Sequence, residues 1–183
     1  MEAPPRPTRE ELEAARGRTI PDVIAPRLRV LFVGINPSLY SAAVGHHFAR
    51  PGNRFWKALH LSAFTPRLLS PFEDHDLLAN GLGVTNIVSR ATAAADELGV
   101  EELRAGARTL TRKVRRFAPH YVAVLGVGAY RAAFDRPRAA IGPQPRDLGE
   151  SKSWVLPNPS GRTAAYQLPD LVAEFRRLRR AAG

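Results

Sequence analysis

Apolar runs and amphipathic stretches alternate along the chain from about residue 28 onward. Runs of β-branched and other apolar residues, typical of buried strands, occupy residues 28–33, 84–88, 121–125 and 154–156. Helical spacing of apolar positions predicts two long helices and two shorter ones, over residues 101–117, 169–182, 53–61 and 73–78. Because strands that alternate with helices form a mainly parallel sheet, we expect an α/β fold with helices on both faces of the sheet.

The chain is predicted to form one domain behind a short tail. Its 183 residues fill a single core and leave little room for a second, and neither a repeat nor a linker interrupts the pattern. Residues 1–20 are predicted to be flexible or to form a short helix, which Thr8 and Glu11 begin as a capping box. Residues 21–183 are predicted to be the domain.

Composition excludes several classes of protein. Zero cysteines exclude disulfides, thiolate catalysis and cysteine-bound metal clusters. No apolar run approaches the ~18 residues that a membrane helix needs, and the opening MEAPPRPTREE lacks the apolar core of a signal peptide. We therefore expect a cytoplasmic protein that does not associate with membranes.

The charge is strongly basic. Lysine and arginine number 27 against 17 acidic residues, which gives a net charge of +10. Such an excess favours a polyanionic partner, most often nucleic acid, because each neutralised phosphate releases counterions. A GC-rich coding bias is the alternative, and it explains arginine in place of lysine but not the net charge.

Three loops that follow predicted strands are unusual. GINPS after Val33 and PNPSGRT after Leu156 both contain Asn-Pro-Ser, and ligands of parallel sheets bind where strands end. A third loop, GVGAY after Leu125, has the G-x-G of a dinucleotide-binding turn at Gly126 and Gly128, but residue 131 is arginine where the third glycine would fall. We interpret this loop as a tight strand-to-helix turn and keep a nucleotide-cofactor enzyme as the weaker alternative.

Four motifs, in their order and spacing, resemble the mismatch-specific uracil-DNA glycosylase/thymine-DNA glycosylase family: GINPS, FARPGNRFW, GVTNIVSRAT and LPNPSG. The resemblance runs from about residue 29 to residue 180. It implies a single α/β domain that hydrolyses an N-glycosidic bond without a metal or organic cofactor. It also implies a substrate of double-stranded DNA with G:U or related mispairs, from which uracil, and often thymine or modified pyrimidines, is excised to leave an abasic site. We expect the protein to act as a monomer.

The resemblance places a base pocket at Gly34, Ile35, Ser41 and Phe48. A base in a duplex must be flipped out before its glycosidic bond can be reached. Phe48 matches the aromatic residue on which the flipped base stacks, and its alternative is a core phenylalanine. Ile35 is expected to offer backbone groups to the pyrimidine edge. Ser41 matches a small residue near C5 of the base, and its alternative is a solvated loop serine.

Two residues are candidates for handling the attacking water. Asn36 matches the family's water-orienting residue, and its alternative is a turn residue before Pro37. An amide can aim a water at C1′ but cannot deprotonate it, which suffices if the glycosidic bond breaks first. Asp96 departs from the bacterial pattern, which has a neutral asparagine nearby, and its carboxylate could act as a general base. Otherwise Asp96 caps a helix or is solvated in a loop.

The second Asn-Pro-Ser loop matches the family's contact with DNA beside the flipped nucleotide. Asn158 and Ser160 belong to this contact, and Gly161, Arg162 and Thr163 match the wedge that enters the gap left by the base. The bacterial pattern has leucine at the position of Arg162, so this chain departs from it. A guanidinium there could stack, hydrogen-bond to the opposite guanine, or pair with a phosphate.

Other basic residues complete the set of candidates. Arg50, Arg54 and Arg90 are expected to face DNA, and a phosphate contact is favoured over a metal for His46 and His47. The main alternative to an enzyme is a binding module on the same fold that recognises mismatches or lesions without cutting the glycosidic bond. The intact GINPS loop favours the enzyme, because a pure binder has no use for a water-holding Asn36.

Overall fold

The computed structural model describes residues 6–162 and 165–183. The strands are β1 Val30–Gly34, β2 Leu82–Asn86, β3 Tyr121–Leu125, β4 Gly142–Pro143 and β5 Lys152–Leu156. The α-helices are α1 Arg9–Ala14, α2 Leu39–Val44, α3 Phe55–Leu61, α4 Val100–Phe117, α5 Val127–Phe134 and α6 Leu168–Ala182. Two 3₁₀ segments cover Pro71–Asn80 and Ala95–Glu97.

The strands form one sheet in the order β2-β1-β3-β5-β4. The first four are mutually parallel, and β4 is a short antiparallel edge strand. The predicted α/β fold with a mainly parallel sheet is therefore confirmed. The register sets Gly34 opposite Asn86 and Leu125 opposite Leu156, so the carboxyl ends of these strands lie at one edge.

Helices cover both faces of the sheet because side chains alternate along each strand. From β1, Val30 and Phe32 point into a core shared with α3 and α6, whereas Leu31 and Val33 point into a core shared with α4 and α5. Phe32 is fully buried, and its ring centroid lies 5.4 Å from that of Phe55. Burial of a side chain of this kind contributes about 1.5–3 kcal/mol.

The long helix α4 follows directly from its sequence pattern. One face carries the buried residues Leu103, Ala107, Leu110 and Val114. Acidic residues occupy the first turn and Arg115 and Arg116 the last, so both ends complement the helix dipole. The helix begins one residue before the predicted range.

Two strands, β2 and β5, begin two residues earlier than predicted. The sequence indicated a strand over residues 84–88, but β2 begins at Leu82 and includes Gly83. Glycine disfavours a strand interior, yet a Cβ at Gly83 would lie 2.5 Å from the Val23 carbonyl oxygen. This close backbone approach explains why glycine occupies the strand.

The described part of the N-terminal segment contacts the rest of the chain. The predicted capping box at Thr8 and Glu11 is present and begins α1. The Gly17 N–H donates to the Ala91 carbonyl, and the Ala91 N–H donates back to the Arg18 carbonyl, both at 2.9 Å. No helix in residues 6–162 or 165–183 is both long and apolar enough to cross a membrane.

Candidate active site at the carboxyl edge of the sheet

A cavity of about 130 Å³ opens where β1, β2, β3 and β5 end. Two stretches build much of its wall, and we name them the 34–54 segment and the 157–162 segment. Most of the residues predicted for the site line this cavity: Gly34, Ile35, Asn36, Ser41, Phe48, Asn158, Ser160 and Arg162. Gly161 lies between two lining residues, and Thr163 lies outside the described residues. The structure thus brings together side chains more than 100 positions apart in the sequence.

The amide of Asn36 is held in one orientation. Its Nδ2 donates to the Arg90 carbonyl at 3.0 Å and to Thr92 Oγ1 at 2.8 Å. Thr92 Oγ1 in turn donates to the Ala94 carbonyl at 2.7 Å. A flipped amide would set Oδ1 against the Arg90 carbonyl oxygen, so this arrangement fixes the direction of Oδ1. Among the described residues none donates to Oδ1, which leaves it as an acceptor for a water in the cavity.

The aromatic wall of the cavity is Phe48. Its backbone is left-handed, with φ of 51°, which is uncommon for a bulky residue. Hydrogen bonds on either side hold this conformation: the Ala49 N–H donates to Ser41 Oγ at 3.1 Å, and the His47 N–H to Asp74 Oδ2 at 3.3 Å. The ring packs on Phe55 at a centroid distance of 4.2 Å and remains half-buried at the cavity. Phe48 is therefore a fixed aromatic surface and not a core residue.

Ser41 lies in a helix that the sequence pattern did not predict. Helix α2 has only six residues, too few for its periodicity to be recognised, and Ser38 caps its N-terminus with an Oγ that accepts from the Ser41 N–H at 3.1 Å. The Ser41 side chain is buried and lines the cavity, so the alternative of a solvated loop serine is wrong. Its hydroxyl also accepts the Ala49 N–H, which ties α2 to the loop that carries Phe48.

Asn86 lines the cavity and was not singled out from the sequence. It ends β2 directly opposite Gly34, and a Cβ on Gly34 would lie 2.5 Å from Asn86 Oδ1 and 3.3 Å from Phe48 Cζ. Glycine at position 34 therefore permits an amide and an aromatic ring to share the cavity. The available signal was its place within the motif GVTNIVSRAT, but the predicted strand over residues 84–88 set Asn86 in mid-strand, whereas β2 ends at Asn86.

The 157–162 segment consists of consecutive side-chain-capped turns. Asn158 Oδ1 accepts from the Ser160 N–H at 2.9 Å, and Ser160 Oγ accepts from the Arg162 N–H at 3.3 Å. Arg162 is exposed at the mouth of the cavity.

Gly126 lies beneath both segments. It has φ of 134°, and a Cβ there would lie 3.4 Å from Ile35 Cδ1 and 3.9 Å from Asn158 Cβ. Its backbone leads from β3 into α5, as the tight-turn interpretation of GVGAY expects.

Asp96 is exposed and does not line the cavity. It belongs to the short turn Ala95–Glu97, and the three alanines that precede it form part of the cavity wall. Asp96 therefore directly follows residues of the cavity wall in the sequence. A catalytic role for its carboxylate stays a prediction.

The three arginines expected to face DNA differ in their surroundings. Arg50 is exposed and lines the cavity. Arg90 forms an ion pair with Glu102 through Nε and Nη2; these hydrogen bonds raise the pKa of Arg90 and lower that of Glu102. Arg54 donates to backbone carbonyls of the 157–162 segment. Arg54 and Arg90 are thus engaged within the protein.

The two histidines have separate environments. His47 is buried, with Nε2 at 2.8 Å from the Pro21 carbonyl oxygen, and burial lowers its pKa. His46 has Nδ1 at 3.2 Å from Oδ1 of the buried Asp74. Within the described ranges, no three histidine, cysteine or acidic side chains are arranged to hold a metal ion.

Comparisons with known proteins agree with this fold. A family model described as the Uracil DNA glycosylase superfamily matches residues 21–180. The fold is similar to that of a candidate uracil DNA glycosylase from Methanosarcina acetivorans, solved by solution NMR, with a TM-score of 0.57 and 18% sequence identity. The match covers 89% of this chain and 98% of that chain, and at this identity it concerns the fold alone.

Proposed function

The chain belongs to the uracil DNA glycosylase superfamily, and from that premise we propose that it is a monofunctional, mismatch-specific DNA glycosylase. It hydrolyses the N-glycosidic bond of uracil mispaired with guanine in duplex DNA and leaves an abasic site for base excision repair. It acts as a monomer without a metal or organic cofactor. The fixed amide of Asn36 in the cavity is the observation that carries this proposal.

The flipped base enters the cavity and stacks on Phe48. Stacking of a base on an aromatic side chain contributes about 1–3 kcal/mol. The Ile35 carbonyl already accepts the Val88 N–H at 2.9 Å, so the Ile35 N–H is the backbone donor that we assign to the pyrimidine edge. Asn86 supplies an amide to the same edge. The small Ser41 side chain leaves room at C5, which extends the substrates to thymine and other modified pyrimidines.

The chemical step begins with cleavage of the glycosidic bond. Its electron pair leaves with the base as a uracil anion, and positive charge develops on the sugar as an oxocarbenium-like centre. The Asn36 Oδ1 holds a water and aims it at C1′, where the water adds and passes a proton to the departed uracil anion. Electrostatic stabilisation by positioned dipoles therefore matters more than a strong base. The second candidate for accepting the proton is Asp96, whose exposed turn borders the cavity.

The 157–162 segment contacts the duplex while the base is out of the stack. Arg162 is exposed at the cavity mouth, so its guanidinium can enter the gap or meet the opposite guanine. Gly161 and Thr163 belong to the same wedge. The net charge of +10 supports attraction to the phosphate backbone, which predicts binding that weakens steeply with salt.

Substrate comparison tests the proposal. Single-turnover excision is measured on duplexes with G:U and A:U pairs and on single-stranded uracil DNA, with alkali to convert abasic sites into strand breaks. We expect faster excision from G:U than from the other two substrates. Breaks in none of the three would contradict the enzyme and leave a lesion-binding module, and equal rates would contradict mismatch specificity.

A further inference from the structure

Arg54 makes contacts that the mechanism above does not use. Its Nε donates to the Pro159 carbonyl at 3.3 Å, its Nη2 to the Ser160 carbonyl at 3.0 Å, and its Nη1 to the Tyr166 carbonyl. Its backbone N–H also donates to the Pro159 carbonyl, at 3.0 Å. We propose that Arg54 is a positioning residue that fixes the 157–162 segment against the base pocket. The role in excision rests on the proposed function, since it assumes that this segment enters the duplex as the base leaves it.

The backbone of Arg54 is held rigidly at the start of a helix. It directly precedes α3, and its own carbonyl accepts from the Ala58 N–H at 2.9 Å in the first turn. The next residue, Phe55, is fully buried and packs on the Phe48 ring. Arg54, which holds the 157–162 segment, is therefore directly followed by Phe55, which supports the aromatic wall of the pocket.

A backbone contact joins the same two segments independently. A Cβ on Gly161 would lie 2.8 Å from the Gly52 carbonyl oxygen, closer than real Cβ contacts occur. The two segments thus touch through main-chain atoms, and only glycine at position 161 allows this distance. This contact between the two segments explains the glycine at position 161 independently of any role at the DNA.

The chemistry of the contact requires arginine. A planar guanidinium offers five donors in a fixed fork, which suits several carbonyl oxygens at once. A lysine keeps the charge but presents one ammonium point and cannot reproduce the fork. The substitution Arg54→Lys therefore separates this positioning role from the DNA-facing charge that the sequence suggested.

The test compares Arg54→Lys with the unmodified protein and with Arg108→Lys, which alters an exposed arginine on α4 far along the chain from the site. In single-turnover excision from a G:U duplex, we expect Arg54→Lys to be slower by about tenfold, the scale of lost charge-assisted hydrogen bonds. Arg108→Lys should match the unmodified protein. Gly161→Ala, which acts from the other side of the contact, should also slow excision.

Hydrogen exchange supplies a readout that does not need activity. The Ser160 and Arg162 amides lie in the segment that Arg54 holds, and they should exchange faster in Arg54→Lys while the amides of the central sheet are unchanged. If the unmodified protein excises uracil from no substrate, the proposed function fails, yet this exchange result still decides whether Arg54 holds the segment. Unchanged exchange in Arg54→Lys would overturn the inference, even if excision slowed.

Thermal unfolding shows whether a slower rate results from a loss of fold stability. We expect both Arg54→Lys and Gly161→Ala to melt close to the unmodified protein, because Gly161 is exposed and neither substitution removes an apolar side chain from the core. A loss of rate that follows a large fall in melting temperature in both variants would make these residues part of the fold alone and would overturn the inference. Normal excision by both variants would overturn it as well.

Discussion

The two segments that form the site are held in different ways. The 34–54 segment is anchored by buried groups: Ser41 inside α2, the buried carboxylate of Asp74, and Phe55 in the core. The 157–162 segment is held by turns closed by its own side chains and by hydrogen bonds from Arg54. The proposed base pocket is thus anchored in the folded core, whereas the segment proposed to meet the duplex is docked on it by polar contacts. Changes of the buried groups that anchor the first segment should affect stability and activity, whereas changes in the second segment, or in the Arg54 side chain that holds it, should affect mainly activity.

Among the changes that compare the two segments, the largest effect is expected from Gly34→Ala. The new Cβ would lie 2.5 Å from Asn86 Oδ1 and 3.3 Å from Phe48 Cζ, so it would displace both groups from their positions in the pocket. A misplacement of this size can reduce the rate by about a hundredfold, measured as single-turnover excision from a G:U duplex. Gly128→Ala is the control, since a Cβ there meets nothing within 4 Å. Normal excision by Gly34→Ala would show that the pocket tolerates displacement.

Alanine substitutions at one serine in each segment test whether the two segments are held differently. Ser41→Ala removes the acceptor of the buried Ala49 N–H and should cost about 1–3 kcal/mol of unfolding free energy. Ser160→Ala removes a contact to the exposed Arg162 N–H, which water can replace, and should cost less than about 0.5 kcal/mol. Denaturant unfolding measures both.

Ser153→Ala controls for the loss of a buried hydroxyl, because Ser153 Oγ is buried and has no hydrogen-bond partner among the described residues. Ser153→Ala should leave the free energy of unfolding unchanged or raise it slightly. Equal costs for Ser41→Ala and Ser160→Ala would remove the difference between the two segments.

A smaller effect is expected from Thr92→Val. The substitution removes the hydroxyl that accepts from Asn36 Nδ2, so the amide loses one of the two contacts that fix its direction. The loss of one hydrogen bond, about 1 kcal/mol, corresponds to roughly a fivefold slower single turnover. Thr111→Val, which removes a hydroxyl bonded to the Ala107 carbonyl within α4, should leave the rate unchanged. A rate unaffected by Thr92→Val would mean that the Arg90 carbonyl alone orients the amide.

The smallest effect is a dependence of stability on pH. Burial lowers the pKa of His47 in the folded state below its usual 6.5, so the unfolded chain binds a proton at a higher pH than the folded chain does. His47 therefore destabilises the fold as pH drops below about 6.5, and its contribution is restored above that pH. The difference in melting temperature between pH 7.5 and pH 5.5 should shrink in His47→Gln. An unchanged or larger difference would contradict the assignment of a neutral, buried imidazole.

The sequence predicts the scaffold better than the site. The strand β3 and the buried face of α4 follow from apolar periodicity alone, because burial in a layered fold is a local signal. Helix α2 was missed because six residues carry too little periodicity. The role of Arg54 could not be predicted, since its acceptors are backbone carbonyls more than 100 residues away. No residue type marks such acceptors in a sequence.

The motifs that identify the site residues are local in the sequence, whereas the contacts that position these residues are not. Asn36 and Phe48 follow from motifs in one stretch of chain, whereas the contact that orients Asn36 comes from Thr92 on another loop. Asn86 stands in a motif, but only the register of β1 and β2 brings it opposite Gly34. The sequence therefore indicates which residues are candidates for the chemistry, and the sheet determines how those residues are positioned.

The decisive experiment is single-turnover excision from a G:U duplex by the unmodified protein, Asn36→Ala and Asp96→Asn. We expect Asn36→Ala to lose about a hundredfold or more in rate, as when one positioned catalytic group is removed, while DNA binding and melting temperature are kept. Asp96→Asn should stay close to the unmodified rate. Full activity in Asn36→Ala, or its loss in Asp96→Asn alone, would contradict the account and assign the attacking water to the carboxylate.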